Sequence, residues 1–152
     1  MNHGSELPAW LWALFPFFFV GMWVTVSLLL SLIGGWRALA RQYPAPEPAE
    51  GTWFPFCSAT VGWVNYNGCL NLRASPAGLR IAVLLPFRLG HPPFFVPWRD
   101  LSGTASRRFF VKTVTFRFSG APDATFEVAH RLAADLATAS GGALVLPPLP
   151  AK

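Results

Sequence analysis

The chain has few of the side chains on which most enzyme chemistry depends. Its 152 residues include three histidines, two cysteines and seven acidic residues. No His-x-x-x-His, Cys-x-x-Cys, Gly-x-Ser-x-Gly or glycine-rich phosphate-loop motif occurs. The sequence therefore predicts a protein that is not an enzyme and that uses no metal or cofactor.

One catalytic alternative stays open, in which a cysteine acts as the nucleophile. Cys57 or Cys69 could pair with His91 or His130 as a base. The simpler interpretation makes both cysteines small apolar residues on strands. In that interpretation His91 caps a loop and His130 lies on an exposed helix face. We prefer this interpretation to that of a cysteine hydrolase.

Charged side chains are absent from residues 7–36, which are mainly Leu, Phe, Trp, Val, Ala and Ile. Since a helix rises about 1.5 Å per residue, about 20 such residues cross the hydrocarbon core of a bilayer. We predict a transmembrane helix over residues 7–36, either bent at Pro16 or beginning near it. Trp10, Trp12 and Trp36 are spaced as aromatic belts at the two membrane interfaces.

Basic residues are missing before this helix, whereas Arg37 and Arg41 follow it directly. The positive-inside rule then places the N-terminus outside and the C-terminal domain in the cytoplasm. We expect a single-pass protein of the inner (cytoplasmic) membrane, with the lipid bilayer as its first partner. The alternative is a signal peptide cleaved after Ala38-Leu39-Ala40. The chain lacks the basic start and the short apolar run of such peptides.

Residues 37–52 are assigned to a juxtamembrane segment and a proline-rich linker. Pro44, Pro46 and Pro48 disfavour a helix or a central strand and favour a semi-rigid polyproline II spacer. The spacer would hold the next domain close to the membrane. Residues 53–146 suffice for one modest core and form that domain, and residues 147–152 form a tail.

The domain begins with a predicted β-hairpin. Asn67-Gly68 between two alternating apolar runs is typical of a type I′ turn. In this register Tyr66 pairs with Cys69, and Trp63 faces the core. Cys57 then lies about 30 Å from the turn. The two cysteines are too far apart for a disulfide, and two free thiols suit a reducing compartment.

Alternating apolar residues predict further strands. Their inward-facing residues are Leu79, Ile81, Val83, Leu85, Phe110, Val114, Phe116 and Phe118. Phe94–Trp98 is a short strand that Pro97 places at a sheet edge or a bulge. Helical spacing from Ala129 to Ser140 predicts a final amphipathic helix. The fold class is α+β: an N-terminal transmembrane helix, then a small antiparallel β-roll or barrel of about five to seven strands closed by one C-terminal helix.

This order of elements resembles the pleckstrin-homology-like (PH-like) and GRAM-like folds, in particular their small bacterial membrane-tethered versions. The resemblance covers Cys57 to Ser140, and the local phrase that carries it is Phe95-Val96-Pro97-Trp98-Arg99-Asp100-Leu101. Three other stretches are similar to those of bacterial single-pass membrane proteins of unassigned function: Gly34 to Ala40, Gly62 to Cys69 and Phe87 to Pro93. The resemblance implies a PH-like binding domain and supplies no site residues.

Positive charge dominates the chain after the linker, where residues 51–152 carry ten Lys and Arg against four Asp and Glu. Two groups are candidates for binding anionic lipid headgroups or a protein partner. They are Arg107, Arg108, Lys112 and Arg117 on one segment, and Arg88 and His91 on the loop from Phe87 to Phe95. The alternatives are that the first group only protects an edge strand from aggregation and that the loop's Phe residues belong to the core.

Two functions follow from these features. The first is a membrane-tethered, non-catalytic binding or scaffold module that docks to anionic lipid, a peptide or a neighbouring membrane protein. The alternative is an accessory subunit of a larger membrane assembly, with helix packing at the small residues Gly21, Ser27, Ser31 and Gly34. Nucleic acid is not an expected partner, because the basic segment lacks a known recognition module and the domain is held at a membrane.

Overall fold

The structure, a computed structural model, describes residues 8–108 and 110–150, without the side chain of Arg108. The helices and strands within these residues are α1 (Ala9–Ile33), α2 (Trp36–Gln42), β1 (Thr52–Val61), β2 (Val64–Ser75), β3 (Gly78–Val83), β4 (Phe94–Pro97), β5 (Leu101–Arg108), β6 (Val111–Phe118), β7 (Ala121–Ala129) and α3 (His130–Ala139). An N-terminal apolar helix, an antiparallel sheet and a C-terminal helix confirm the predicted α+β class.

The first helix, α1, is long and apolar enough to span a membrane. Its 25 residues rise about 37 Å, against a hydrocarbon core of about 30 Å. Of the most apolar stretch of 18 residues in α1, only 6% is buried by the rest of the protein. The helix begins at Ala9 and passes through Pro16, so the alternative start near Pro16 is wrong. Leu7, the predicted first residue of the span, lies outside the described residues.

The strands form one antiparallel sheet in the order β4-β3-β2-β1-β7-β6-β5. Strand β1 joins the two halves, because it pairs with β2 and also with β7 at Thr60 and Val61. Strand β4 lies at one edge, as Pro97 predicted, and β5 lies at the other. Helix α3 contacts β2, β6 and β7 and buries Ala133 and Leu136 on its predicted apolar stripe. The core therefore lies between α3 and the inner faces of both halves.

The first hairpin differs from the predicted one. Its turn is Gly62-Trp63, and Val61 pairs with Val64 on either side. Asn67-Gly68 lies inside β2, at a shift in the β1–β2 register. There Gly68 has φ +62°, and its N–H donates to Ser58 Oγ at 2.8 Å. The predicted type I′ turn and its register are therefore wrong, and the Asn-Gly pair forms a bulge instead.

The observed turn is fixed by contacts with distant parts of the chain. Gly62 has φ +58°, and its N–H donates to the carbonyl of Thr125 at 2.8 Å. A Cβ at Gly62 would lie 2.8 Å from the carbonyl oxygen of Gly34, at the end of α1. Trp63, predicted to face the core, is 91% exposed. Packing against α1 and β7 thus overrides the local turn preference of the Asn-Gly pair.

The cysteines are free, as predicted, but for a different reason. Cys57 pairs with Leu70 across the β1–β2 ladder, so it lies close to Cys69 and the predicted 30 Å separation is wrong. Because successive side chains of a strand point to opposite faces, Cys69 faces away from the side that Leu70 and Cys57 share. The two thiols are separated by the sheet.

Helix α2 and the segment after it pack on the domain. Trp36 and Leu39 are fully buried, and Tyr43 is nearly so. The predicted position of Trp36 in a lipid-facing aromatic belt is therefore wrong. The proline-rich segment lies against β3, where Arg80 forms an ion pair with Glu47 and donates to the carbonyl of Pro46. These contacts replace the semi-rigid spacer that the prolines predicted.

Candidate functional site

The end of α1 is held by the loop between β3 and β4, residues 84–93, which we call the β3–β4 loop. Ser31 on α1 is fully buried, and its hydroxyl donates to the carbonyl of Gly90. Further up the helix, the rings of Trp23 and Phe87 lie 5.8 Å apart. The domain is thus seated on the helix through a defined contact, in addition to the short connection Gly34-Gly35.

An aromatic cluster of Trp36, Tyr66, His91 and Phe94 forms the centre of this contact. Ring centroids lie 5.3 Å apart for Trp36 and Tyr66, 5.2 Å for Trp36 and His91, and 5.0 Å for Trp36 and Phe94. The indole N–H of Trp36 donates to the carbonyl of Pro92 at 2.8 Å. The cluster therefore ties together α2, β2, β4 and the β3–β4 loop.

His91 has a structural role here, which contradicts its predicted contact with phosphate oxygens. The ring is 3% exposed, and its Nδ1 lies 3.0 Å from the carbonyl oxygen of Leu89. Since a carbonyl only accepts, Nδ1 carries the proton, and Nε2 accepts the hydroxyl hydrogen of Tyr66 at 3.0 Å. Burial, and secondarily the charge of Arg37, lowers the pKa of His91. The simpler interpretation, in which His91 caps a loop, fits these contacts.

Basic side chains surround the contact between α1 and the domain, which we call the junction. Arg88 is exposed on the β3–β4 loop, and Arg37 and Arg41 lie on α2 beside Pro92. Sequence analysis grouped Arg88 with His91, whereas the structure buries His91 and leaves Arg88 at the surface. The basic groups near the end of α1 are thus Arg37, Arg41 and Arg88.

The other predicted basic group does not form one patch. Arg107 and Lys112 lie directly opposite each other on β5 and β6. Arg117 pairs with Ser102 and Thr125 and faces the other side of the sheet, because it follows Lys112 by five positions and successive side chains alternate between the two faces. The side chain of Arg108 lies outside the described residues. The candidate site is therefore reduced to the Arg107–Lys112 pair, with Arg117 apart from it.

This pair lies towards the tip of the β5–β6 hairpin, away from the end of α1. Val61, beside the β1–β2 turn, is level with Phe126 on β7 and Phe116 on β6. Val111 lies five residues further along β6, on the order of 16 Å, in the direction that leads away from that turn. Phe110, predicted to face the core, is fully exposed at the tip.

Among the described residues, no hydrogen bond joins a cysteine to a histidine. Burial raises the pKa of the Cys57 and Cys69 thiols, which opposes the thiolate form that a nucleophile needs. His91, one of the two candidate bases, has both ring nitrogens engaged. Within residues 8–108 and 110–150, no cluster of three His, Cys, Asp or Glu side chains could hold a metal ion.

Sequence reasoning missed the junction because its members are far apart in the chain. Two hydroxyl side chains of α1, Ser27 and Ser31, are buried, whereas the third, Thr25, is exposed and donates to the carbonyl of Gly21 within the helix. The spacing of four residues between Ser27 and Ser31 was a usable signal, since it places both on one helix face. Tyr66 and His91 carry no local pattern that indicates their contact.

The chain was compared with family models, curated proteins and solved structures, and nothing matches. The site is therefore interpreted from its own geometry and chemistry.

Proposed function

We propose that the protein is a membrane-tethered, non-catalytic binding module. In this proposal α1 spans the inner (cytoplasmic) membrane with the N-terminus outside, and the domain lies on the cytoplasmic face. The observation that carries the proposal is the seating of the domain on the end of α1 through Ser31, Trp36 and the β3–β4 loop. Such seating would present the same surface of the domain at a fixed height above the lipid.

A PH-like arrangement of the domain is part of this proposal. Its support is the strand order, in which the first strand joins two antiparallel halves, and the helix that follows the last strand and contacts both halves. Domains of this plan leave strand edges and hairpin tips free for binding. Here β5 is an edge strand, and the β5–β6 hairpin exposes Phe110 and Val111 near its tip.

We place partner binding at the β5–β6 hairpin. Arg107 and Lys112 are both exposed, and like charges directly opposite each other on a sheet destabilise it. Among the described residues, neither has a carboxylate within ion-pair distance. An anionic partner would offset their repulsion. Because the tip points away from the end of α1, an acidic segment of a neighbouring membrane protein fits this position better than headgroups of the same membrane.

The alternative function, an accessory subunit of a larger assembly, depended on small residues along α1. Of these, Ser27 and Ser31 are buried against the protein's own loop, and Gly34 is covered by Val64. Gly21 has open space around it, so one small residue is left for packing against another helix. This observation favours the binding module over the accessory subunit.

The test uses the full chain in nanodiscs of neutral lipid and a fluorescent oligoglutamate peptide. Binding is followed by anisotropy at low and high salt. Two exposed charges at about 0.7 kcal/mol each amount to about a tenfold change in affinity. We expect Arg107→Gln with Lys112→Gln to weaken binding by about that factor, and added salt to weaken binding by the unchanged chain as well.

The matched control is the double variant Arg99→Gln with Arg117→Gln, which removes the same charge elsewhere on the surface. It should retain binding and melt like the unchanged protein, whereas Arg107→Gln with Lys112→Gln should melt at the same temperature or slightly higher, because it removes the repulsion between the two charges. Equal loss in both double variants would mean that only net charge matters. Binding to anionic vesicles in place of the peptide would return the site to lipid, and no binding to either would favour the accessory subunit.

A further inference from the structure

The β3–β4 loop exposes large apolar side chains beside α1. Leu85, Phe87 and Leu89 are 78%, 45% and 48% exposed. A short 3-10 turn from Leu85 to Phe87 begins this part of the loop. Three exposed apolar side chains within five residues are unusual for a loop in water, where turns are mostly polar.

The loop runs along α1 from the end of the helix back towards its N-terminus. Trp23, which contacts Phe87, precedes Ile33 by ten residues, or about 15 Å of helix. Gly90 approaches Leu28 so closely that a Cβ there would lie 2.8 Å from the Leu28 side chain. The contact therefore extends over the last three turns of α1.

The length of α1 leaves room for lipid around this contact. The helix exceeds the hydrocarbon thickness by about 7 Å, or about five residues. With the surplus at the C-terminal end, Trp23 and Phe87 still lie level with the acyl chains. The loop therefore reaches the membrane whichever end of α1 extends beyond the hydrocarbon core.

Part of the loop's backbone meets a condition for entering lipid, which is that polar groups find partners within the protein. The N–H groups of Leu84, Phe87, Arg88 and His91 donate to carbonyls of Cys69, Leu84, Leu85 and Arg88. The carbonyls of Leu89 and Gly90 accept from His91 and Ser31. Pro86 has no N–H to satisfy. These bonds lower the cost of placing the loop among lipids, and the N–H groups of Leu85 and Leu89 are left for lipid headgroups or water.

We infer that the β3–β4 loop is a second membrane-inserting element, whose residues 85–89 lie among the lipids of the leaflet that surrounds the C-terminal end of α1. The inference rests on the proposed span. Trp63, 91% exposed and lining a recess with Ile33 and Gly34, lies at the interface as an aromatic anchor. Arg88 extends its guanidinium towards lipid phosphates while its stem stays among the apolar side chains.

The occupant of this apolar surface is lipid, because the surface continues the exposed apolar side of α1. Phe19, 50% exposed, precedes Trp23 by four residues and therefore lies on the same face of α1, next to the contact with Phe87. A chain that exposes Phe19 to acyl chains exposes the loop beside Trp23 to the same surroundings. Two inserted elements would also fix the tilt of the domain relative to the membrane, whereas a single inserted helix leaves that tilt free.

The test measures spin-label accessibility in the full chain reconstituted in nanodiscs. Labels are placed at Leu85→Cys and Leu89→Cys in a Cys57→Ala, Cys69→Ser background whose melting matches the natural chain. Leu29→Cys serves as the reference for lipid, and Ala77→Cys, in the turn between β2 and β3, serves as the reference for water. Collisions with oxygen report lipid, and collisions with a water-soluble nickel chelate report solvent.

We expect the oxygen-to-nickel ratio at Leu85 and Leu89 to approach that at Leu29 and to exceed that at Ala77. A ratio like that at Ala77, with Leu29 in lipid, overturns the inserted loop and leaves the span intact. Water-like ratios at all four positions overturn the span and the proposed function with it. Loop labels that meet neither reagent are covered by protein, which also overturns lipid as the occupant.

A folded background is needed for these labels. Should the cysteine-free background fail to match the natural melting curve, a photoreactive benzoylphenylalanine at Leu85 in the natural chain replaces them. Crosslinks to phospholipid support insertion, and their absence, with crosslinks formed from the same group at Leu29, overturns it.

Discussion

Two glycines of the first hairpin offer a direct measure of the contact between α1 and the domain. Gly62 and Gly68 have similar backbone angles, with φ +58° and +62°. They differ in the space around them. A Cβ at Gly62 would lie 2.8 Å from the carbonyl oxygen of Gly34, whereas a Cβ at Gly68 would meet nothing within 4 Å.

Alanine substitution separates backbone strain from the clash. A left-handed conformation costs an alanine roughly 1–2 kcal/mol, so Gly68→Ala should lower the free energy of unfolding by about that amount. Gly62→Ala carries the same strain and must also displace the backbone at the end of α1. Overpacking of this kind costs roughly 1–3 kcal/mol, which gives a total of about 2–5 kcal/mol.

The assay is chemical unfolding of the full chain in mild detergent, followed by near-ultraviolet circular dichroism. The informative quantity is the difference in the free energy of unfolding between the two variants, because the backbone strain is nearly the same in both. Gly62→Ala should also increase the nickel accessibility of a label near Gly34, since the turn moves away from the helix. Equal destabilisation by Gly62→Ala and Gly68→Ala would refute the described seating of the β1–β2 turn on α1.

Two further predictions concern pH and topology. Burial lowers the pKa of His91, so the unfolded state binds the proton more tightly than the folded state. The contribution of neutral His91 to the free energy of unfolding is therefore complete above the unfolded-state pKa of about 6.5 and is lost as pH falls below it. Melting temperatures between pH 8 and 5 should show this decline, and His91→Phe should reduce it; an unchanged slope would mean that other groups cause it. An impermeant maleimide should leave an engineered Ala77→Cys unmodified in intact spheroplasts and modify it after permeabilisation, because the positive-inside rule places the domain in the cytoplasm. Modification in intact spheroplasts would reverse the proposed orientation.

Elements with a strong internal period were predictable from the sequence. Alternation identified Leu79, Ile81 and Val83 as the buried side of β3, but its extension to Leu85 was wrong, because β3 ends at Val83 and Leu85 is exposed. Helical spacing identified α3. Pro97 correctly placed β4 at an edge, because a proline cannot donate to a ladder. These features depend on neighbours along the chain, which is why a single sequence suffices for them.

The candidate site was less predictable, because charge along a sequence does not give the direction of side chains. Arg107 and Lys112 are together only through the β5–β6 register, and the same register directs Arg117 to the other face. His91 was grouped with Arg88 by position, although its ring turns inwards to Tyr66. Cross-strand partners decide such placements, and they are set by the fold as a whole.

The sequence by itself determined that the chain has one long uncharged apolar helix followed by an antiparallel β domain and a closing helix, since hydrophobic period and the absence of charge are local properties. Only the tertiary structure decided where the first hairpin turns and what covers Trp36. The Asn67-Gly68 pair has the stronger local turn preference, but Gly62 is the residue that can approach Gly34 without a side chain. Long-range packing and hydrogen bonds outweigh a local preference of this size, and for that reason the helix and the domain are joined at Gly62 and Trp36.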